Sequence, residues 1–132
     1  MKRLAALSIA LLVFVGTTAA AAPRTSLTVT LQEEHNSGLQ AVAAIRQAGP
    51  DLVITITVNP RNATPLGARV RQGTCLKKNP RPSYRLNNVI NGKSVSIIQN
   101  KKLSTLDDGD YVITIRRPKA TPYTYLACGE VK

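Results

Sequence analysis

Arginines carry the chemical potential of this chain. Arg69 and Arg71 stand two apart in the short segment Ala68-Arg69-Val70-Arg71-Gln72, so an extended backbone projects both from one face. A guanidinium stays protonated at any accessible pH and presents a fork of donors without an acceptor lone pair. Neighbouring guanidiniums therefore repel metal cations and suit oxyanions such as phosphate, sulfate or carboxylate. A plain solvated strand face is the competing reading. His35 is the single histidine. It sits in the polar turn Glu33–Gly38 beside Glu33 and Glu34, which fits a surface residue better than a ligand. Asp107, Asp108 and Asp110 surround Gly109. With no further carboxylates in the segment, a solvated hairpin turn explains them better than calcium. One histidine offers no nucleophile–base triad. There is no Gly-rich phosphate loop and no helical metal motif. No catalytic residue is assigned. Tyr84, Tyr111, Tyr123 and Tyr125 are too few to make a base-stacking stripe, so sequence-specific nucleic-acid reading is not expected.

The N-terminus reads as a secretory signal. Lys2 and Arg3 precede a run of about a dozen mostly apolar residues, Leu4 to Val15, which is short for a bilayer span. Ala19 to Ala22 offer small residues for cleavage. Residues 1–22 are assigned to the signal and 23–132 to one domain. An uncleaved anchor is the competing reading. No cysteine follows the run, so a lipoprotein anchor is not expected, and no mature segment is apolar enough to span a membrane. The expected location is secreted or periplasmic, in a bacterium, and the sequon Asn62-Ala63-Thr64 is discounted for that reason. Export favours pairing the only two cysteines, Cys75 and Cys128. A bridge closing about fifty residues would contribute roughly 4 kcal/mol by chain entropy, large against a typical net stability of about 5–15 kcal/mol. Without Lys2 and Arg3 the chain keeps sixteen cations against seven anions, a net charge of +9. Such an excess attracts polyanions. Outside the cytoplasm these are anionic polysaccharide, lipopolysaccharide or lipid head groups. Solubility alone is the other explanation of the charge.

The elements that would position these side chains are strands. Ser26–Gln32 alternates Leu27, Val29 and Leu31 with threonines, and Leu52–Val58 alternates Leu52, Ile54, Ile56 and Val58 with Val53, Thr55 and Thr57. Period two with β-branched residues predicts half-buried strands. Leu39–Gln47 is alanine-rich, which favours helix by propensity. It also alternates between two turn signals, and a meander explains that spacing better. Ala68–Gln72, Val95–Ile98, Tyr111–Arg116 and Tyr123–Cys128 are further strands. Asn91-Gly92 is a hairpin signal. Leu76–Tyr84 reads as a basic, proline-containing loop, and Leu103–Asp108 as a turn or single helical turn. Seven or eight short strands predict an all-β Greek-key sandwich or barrel.

Three segments together resemble the copper–zinc superoxide dismutase and chordin-type β-sandwich family. They are Ala68–Cys75, where that family has a His-x-His strand leading to a glycine and a cysteine; Asp107–Ile115, like its acidic-Gly-Tyr strand; and Tyr125-Leu126-Ala127-Cys128-Gly129, like its closing Ala-Cys-Gly segment. Together they span roughly Ala68 to Val131, more than half of the mature chain. The resemblance implies a Greek-key β-barrel whose cysteine pair ties a long loop to the last strand. It also implies copper and zinc held by histidines, yet Arg69, Arg71 and Arg116 stand at three ligand positions and Tyr125 at the position of the active-site arginine. Copper and zinc sites need several imidazoles, so a metal-free, cofactor-free scaffold is expected. The resemblance further implies that Arg116 lies near Arg69 and Arg71. Buried together without counter-charge they would be costly, so they should face solvent, pair with acids or bind an anion; Lys77, Lys78, Arg81, Arg117 and Lys119 would extend the patch. The expected function is non-enzymatic binding of anionic envelope or extracellular partners through Arg69, Arg71 and Arg116. A dismutase-family redox enzyme and a purely structural domain remain as alternatives. Oligomeric state is not legible.

Overall fold

The computed structural model describes residues 9–17, 24–61, 64–118 and 125–132. The expected cleavage region, Asn62 and Ala63 of the sequon, Lys119 and Tyr123 lie outside them. Eight antiparallel strands form the fold: β1 (Ser26–Glu33), β2 (Gln40–Ala48), β3 (Asp51–Asn59), β4 (Gly67–Gly73), β5 (Lys78–Arg85), β6 (Lys93–Ile98), β7 (Tyr111–Arg116) and β8 (Tyr125–Glu130). One short helix, α1 (Leu103–Asp107), precedes β7. The strands make one curled sheet in the order β5-β4-β7-β8-β1-β2-β3-β6. β6 returns beside β3 and β7 returns beside β4, the long-range return that defines a Greek key. The all-β expectation holds, with eight strands. Residues 9–17 lie outside the sheet, and the Phe14 side chain there is exposed. No helix among the described residues is long and apolar enough to cross a membrane.

Alternation builds the core. Ala41, Ala43 and Ile45 of β2 face inward with Leu52, Ile54, Ile56 and Val58 of β3. Pairing on both sides, to β1 and to β3, overrides the helical propensity of the alanines in β2. Leu31, Leu66, Leu103, Leu106, Ile113 and Ile115 complete the cluster, each fully buried aliphatic side chain contributing about 1.5–3 kcal/mol. β1 changes partners along its length. Ser26 to Leu31 pair with β2, and Gln32 and Glu33 pair with β8. β8 passes so close to β1 that a Cβ on Gly129 would lie 2.6 Å from the Thr30 carbonyl oxygen, which is why glycine stands there.

The two edge strands depart from the sequence reading. The segment expected to be a loop contains β5, with Pro80 and Pro82 inside it. An edge strand has one ladder only, so proline costs it no partner on the open side. β6 turns its serines inward with Ile98 and turns Val95 and Ile97 outward: Ser94, Ser96 and Ile98 are buried, whereas Val95 and Ile97 are exposed. Asn87, just after β5, explains the inversion. Its backbone N–H donates to Ser96 Oγ, its Nδ2 donates to the Val95 carbonyl, and Ser94 Oγ donates to the Asn87 carbonyl. The serines thus serve the seam where the two edges approach, and the Leu66–Val89 bridge supports it.

Cys75 and Cys128 form a disulfide, with Cα atoms 5.8 Å apart and a sequence separation of 53. Replacing both cysteines by serine is expected to lower the unfolding free energy by about 2–5 kcal/mol. Urea unfolding with and without the bridge measures this, and coincident curves would mean that the bridge does not stabilise the fold.

Candidate anion-binding site

Strands β4, β7 and β8 bury both faces. Ile113, Ile115 and Ala127 belong to the main core, whereas Arg71, Val112, Thr114 and Cys128 are buried outside it. Alternation puts this second set on the opposite side of the sheet, and register aligns part of it: Arg71 opposes Val112, and Thr114 opposes Cys128. The chain after β4 covers this side. It turns back at Gly73, whose φ is +113° and where a Cβ would collide with the Lys77 carbonyl oxygen. Cys75 is then bonded to Cys128 of β8.

Arg71 lies under this cover, 2% exposed. Its Nε donates to Thr114 Oγ1 at 3.2 Å, and its Nη1 donates to the carbonyls of Asn79 and Pro80 at 3.2 and 2.7 Å. The guanidinium carbon lies 5.4 Å from the centre of the Tyr125 ring. Lys78 Nζ stands 4.6 Å from the same ring centre, bridges Glu34 Oε1 at 2.9 Å and donates to the Cys75 carbonyl. Arg71 therefore meets none of the three fates expected of it: it neither faces solvent nor forms an ion pair with a described acid, and its fork is occupied by backbone carbonyls. Burial lowers its pKa first; Tyr125 acts to raise it, and Arg116 lowers it again.

Arg69 is different. It shares the outward face with Arg71 and stands directly opposite Arg85 of β5. Arg116 of β7 pairs with Gly67, two residues from Arg69 on the same face. Like charges directly opposite on neighbouring strands are destabilising. Burial, then repulsion from Arg116, Arg85 and Arg71, pulls the Arg69 guanidinium below the ordinary arginine range. One of its Nη atoms donates to the Ala68 carbonyl at 2.7 Å, but its Nε is buried with no partner among the described residues. Neither Arg69 nor Arg85 forms an ion pair with a described acid. The sequence explains the shortage: Leu52 through Leu106 contain ten lysines and arginines and no aspartate or glutamate.

The structure thus brings Arg69, Arg71 and Arg116 together, but only Arg69 and Arg116 remain accessible in part. Arg85 was missed because Leu76–Tyr84, just before it, was read as a loop and Arg85 itself was assigned to no strand. Reading Ser83-Tyr84-Arg85 as a strand beside β4 would have found it. Tyr125 was missed as a partner of Arg71; pairing of β8 with β7 brings its ring there. Lys78, expected to extend the patch, is instead half-buried and paired with Glu34. Lys77, Arg81 and Arg117 are exposed.

The positions that the resemblance assigns to copper and zinc do not fit a metal. They hold guanidiniums, one wedged against two carbonyl oxygens and a hydroxyl. Glu34, Cys75 and Cys128 present atoms within 4.8 Å of one another, but the two sulfurs are bonded together and offer no thiolate. His35 is exposed, and its Nδ1 lies 3.0 Å from the Tyr125 carbonyl. With Ser37 Oγ on the Leu126 carbonyl, it docks the β1–β2 turn onto β8.

Fold and site define an all-β barrel carrying a cationic face. No protein-family model, curated protein or solved structure matches the chain.

Two arginines in one strand should therefore respond in opposite ways. Arg71→Ala leaves a buried hydroxyl and two part-buried carbonyls without their donor and empties the space under the loop; it is expected to cost about 2–4 kcal/mol. Arg69→Gln removes repulsion and should change stability by less than about 1 kcal/mol, in the stabilising direction. Denaturant midpoints of the two variants decide this; equal losses would refute the division.

Proposed function

We propose that this chain is an exported, non-catalytic β-barrel protein that holds anionic groups on the guanidinium row of Arg69, Arg85 and Arg116. The observation that carries the reading is Arg69. It faces Arg85 across a ladder, has Arg116 beside it, and keeps a buried Nε–H with no acceptor among the described residues. An oxyanion seated on the row would cancel the repulsion, and a rotamer change in the half-exposed Arg69 side chain would turn the unused N–H toward it; charge-assisted bonds of this kind are the strong ones. The partners of this chemistry outside a cell are anionic polysaccharide, lipopolysaccharide and lipid head groups.

The scaffold is read as a relative of the copper–zinc superoxide dismutase and chordin-type family whose metal site is lost. The Greek-key returns and a disulfide from the loop after β4 to the last strand support that kinship. The redox alternative needs imidazoles where Arg69, Arg71 and Arg116 stand. Export is supported by the disulfide and by a leader whose described residues take no part in the core.

Retention on immobilised heparin tests the site. Arg69→Gln with Arg85→Gln should elute at clearly lower salt than the parent, with affinity for a sulfated oligosaccharide down about tenfold or more. The control is Arg46→Gln with Lys93→Gln, which removes the same charge from the exposed face of β2 and β6. Equal shifts in the two pairs would reduce the effect to net charge and sink the site. Copper or zinc found at one equivalent in the purified protein would overturn the metal-free reading.

A further inference from the structure

We infer that the loop Thr74–Lys78 is a membrane-contact tip, seating Leu76 among the acyl chains of an anionic bilayer while Lys77 and Arg81 meet the headgroup phosphates. The inference rests on the anion-binding reading for its electrostatic half and adds an apolar half. Leu76 is 101% exposed, more than any other aliphatic residue described. It is also held at a fixed apex. Thr74 and Lys77 exchange backbone hydrogen bonds at 3.2 Å in both directions, and Thr74 Oγ1 accepts the Lys77 N–H as well. The Gly73 N–H donates to the Asp110 carbonyl, and Cys75 is bonded to β8. A bare leucine on a braced turn is poorly placed to fold onto its own domain and well placed to enter hydrocarbon.

The surrounding charge suits an anionic surface. Lys77 and Arg81 are exposed and form no ion pair with a described residue. One exposed acid, Asp110, stands at the base of the tip, where its carbonyl takes the Gly73 N–H. Glu33, Glu34 and Glu130 line a cavity of about 320 Å³ with the two cysteines. Each is engaged locally: Glu34 by Lys78 at 2.9 Å, Glu130 by Lys132 at 3.9 Å, and Glu33 by the Gly38 N–H at 2.7 Å. The tip also stands on the side of the guanidinium row. Cys128 is the register partner of Thr114, and Thr114 is that of Arg69.

The test is vesicle co-sedimentation of the exported chain, its N-terminus read by mass. Vesicles of phosphatidylcholine alone are compared with vesicles containing phosphatidylglycerol. The chain should bind the anionic vesicles. Leu76→Ser should weaken the partition about tenfold, and Lys77→Gln with Arg81→Gln by about tenfold or more. Leu76→Ser should leave the unfolding midpoint and heparin retention unchanged. The chain has no tryptophan, so Leu76→Trp provides a unique reporter: its emission should shift to the blue and be quenched by brominated acyl chains. Heparin retention without binding to anionic vesicles would overturn the tip and spare the anion site. Loss of both, with folding intact, would overturn both. Binding that persists on neutral vesicles and ignores Leu76→Ser would assign membrane contact to the leader and overturn the tip.

Discussion

A guanidinium taken out of water must be met by dipoles or by charge, and the chain after β4 is arranged around meeting one. Arg71 emerges from a strand on the side away from the main core. Two carbonyls from Asn79 and Pro80 and the hydroxyl of Thr114 reach it. Those carbonyls come within reach only because the chain reverses at Gly73 and then runs back as β5. The disulfide, the Lys78–Glu34 pair and the Tyr125 ring close the same space. Removing the cation would leave this cover without its centre. Removing the cover would expose Val112, Thr114 and Cys128, which the main core does not shelter. Cover and cation are therefore one structural unit.

That unit has an electrostatic consequence one step along the strand. Fixing Arg71 under the cover, away from the main core, fixes the phase of β4, and alternation then leaves Arg69 on the same side, opposite Arg85 and beside Arg116. No acid is supplied by the long stretch from Leu52 to Leu106. The fold tolerates the repulsion because this row is only partly covered, so solvent screens part of it. A screened cluster of this kind is nearly neutral for stability. An oxyanion seated there, as proposed, would remove the repulsion between guanidiniums that the strand register sets side by side.

Much of the barrel was legible because its strands obey period two. β1, β3 and β7 show it openly, and β2 shows it against its own alanine propensity. β5 was not legible, because its two prolines mimic a loop and are tolerated only where a strand has an open edge. The facing of β6 was not legible either. Local hydrophobicity would turn Val95 and Ile97 inward, and the choice reverses only because Asn87 needs the two serine hydroxyls at the seam. At the site, the shared face of Arg69 and Arg71 followed from spacing. Their divergence did not, because it depends on a loop that returns across the sheet.

The same logic bears on why histidines would be a poor fit in this particular barrel. A neutral imidazole at position 71 would carry at most one N–H donor toward three acceptors, leaving the carbonyls of Asn79 and Pro80 competing for it. A metal ion bound from that side would need the space that the guanidinium fills. The cover is thus matched to a long, flat, multiply donating cation. The local packing around Arg71 suits arginine, and metal binding there would require rebuilding the Gly73–Pro80 segment as well as changing the three arginines.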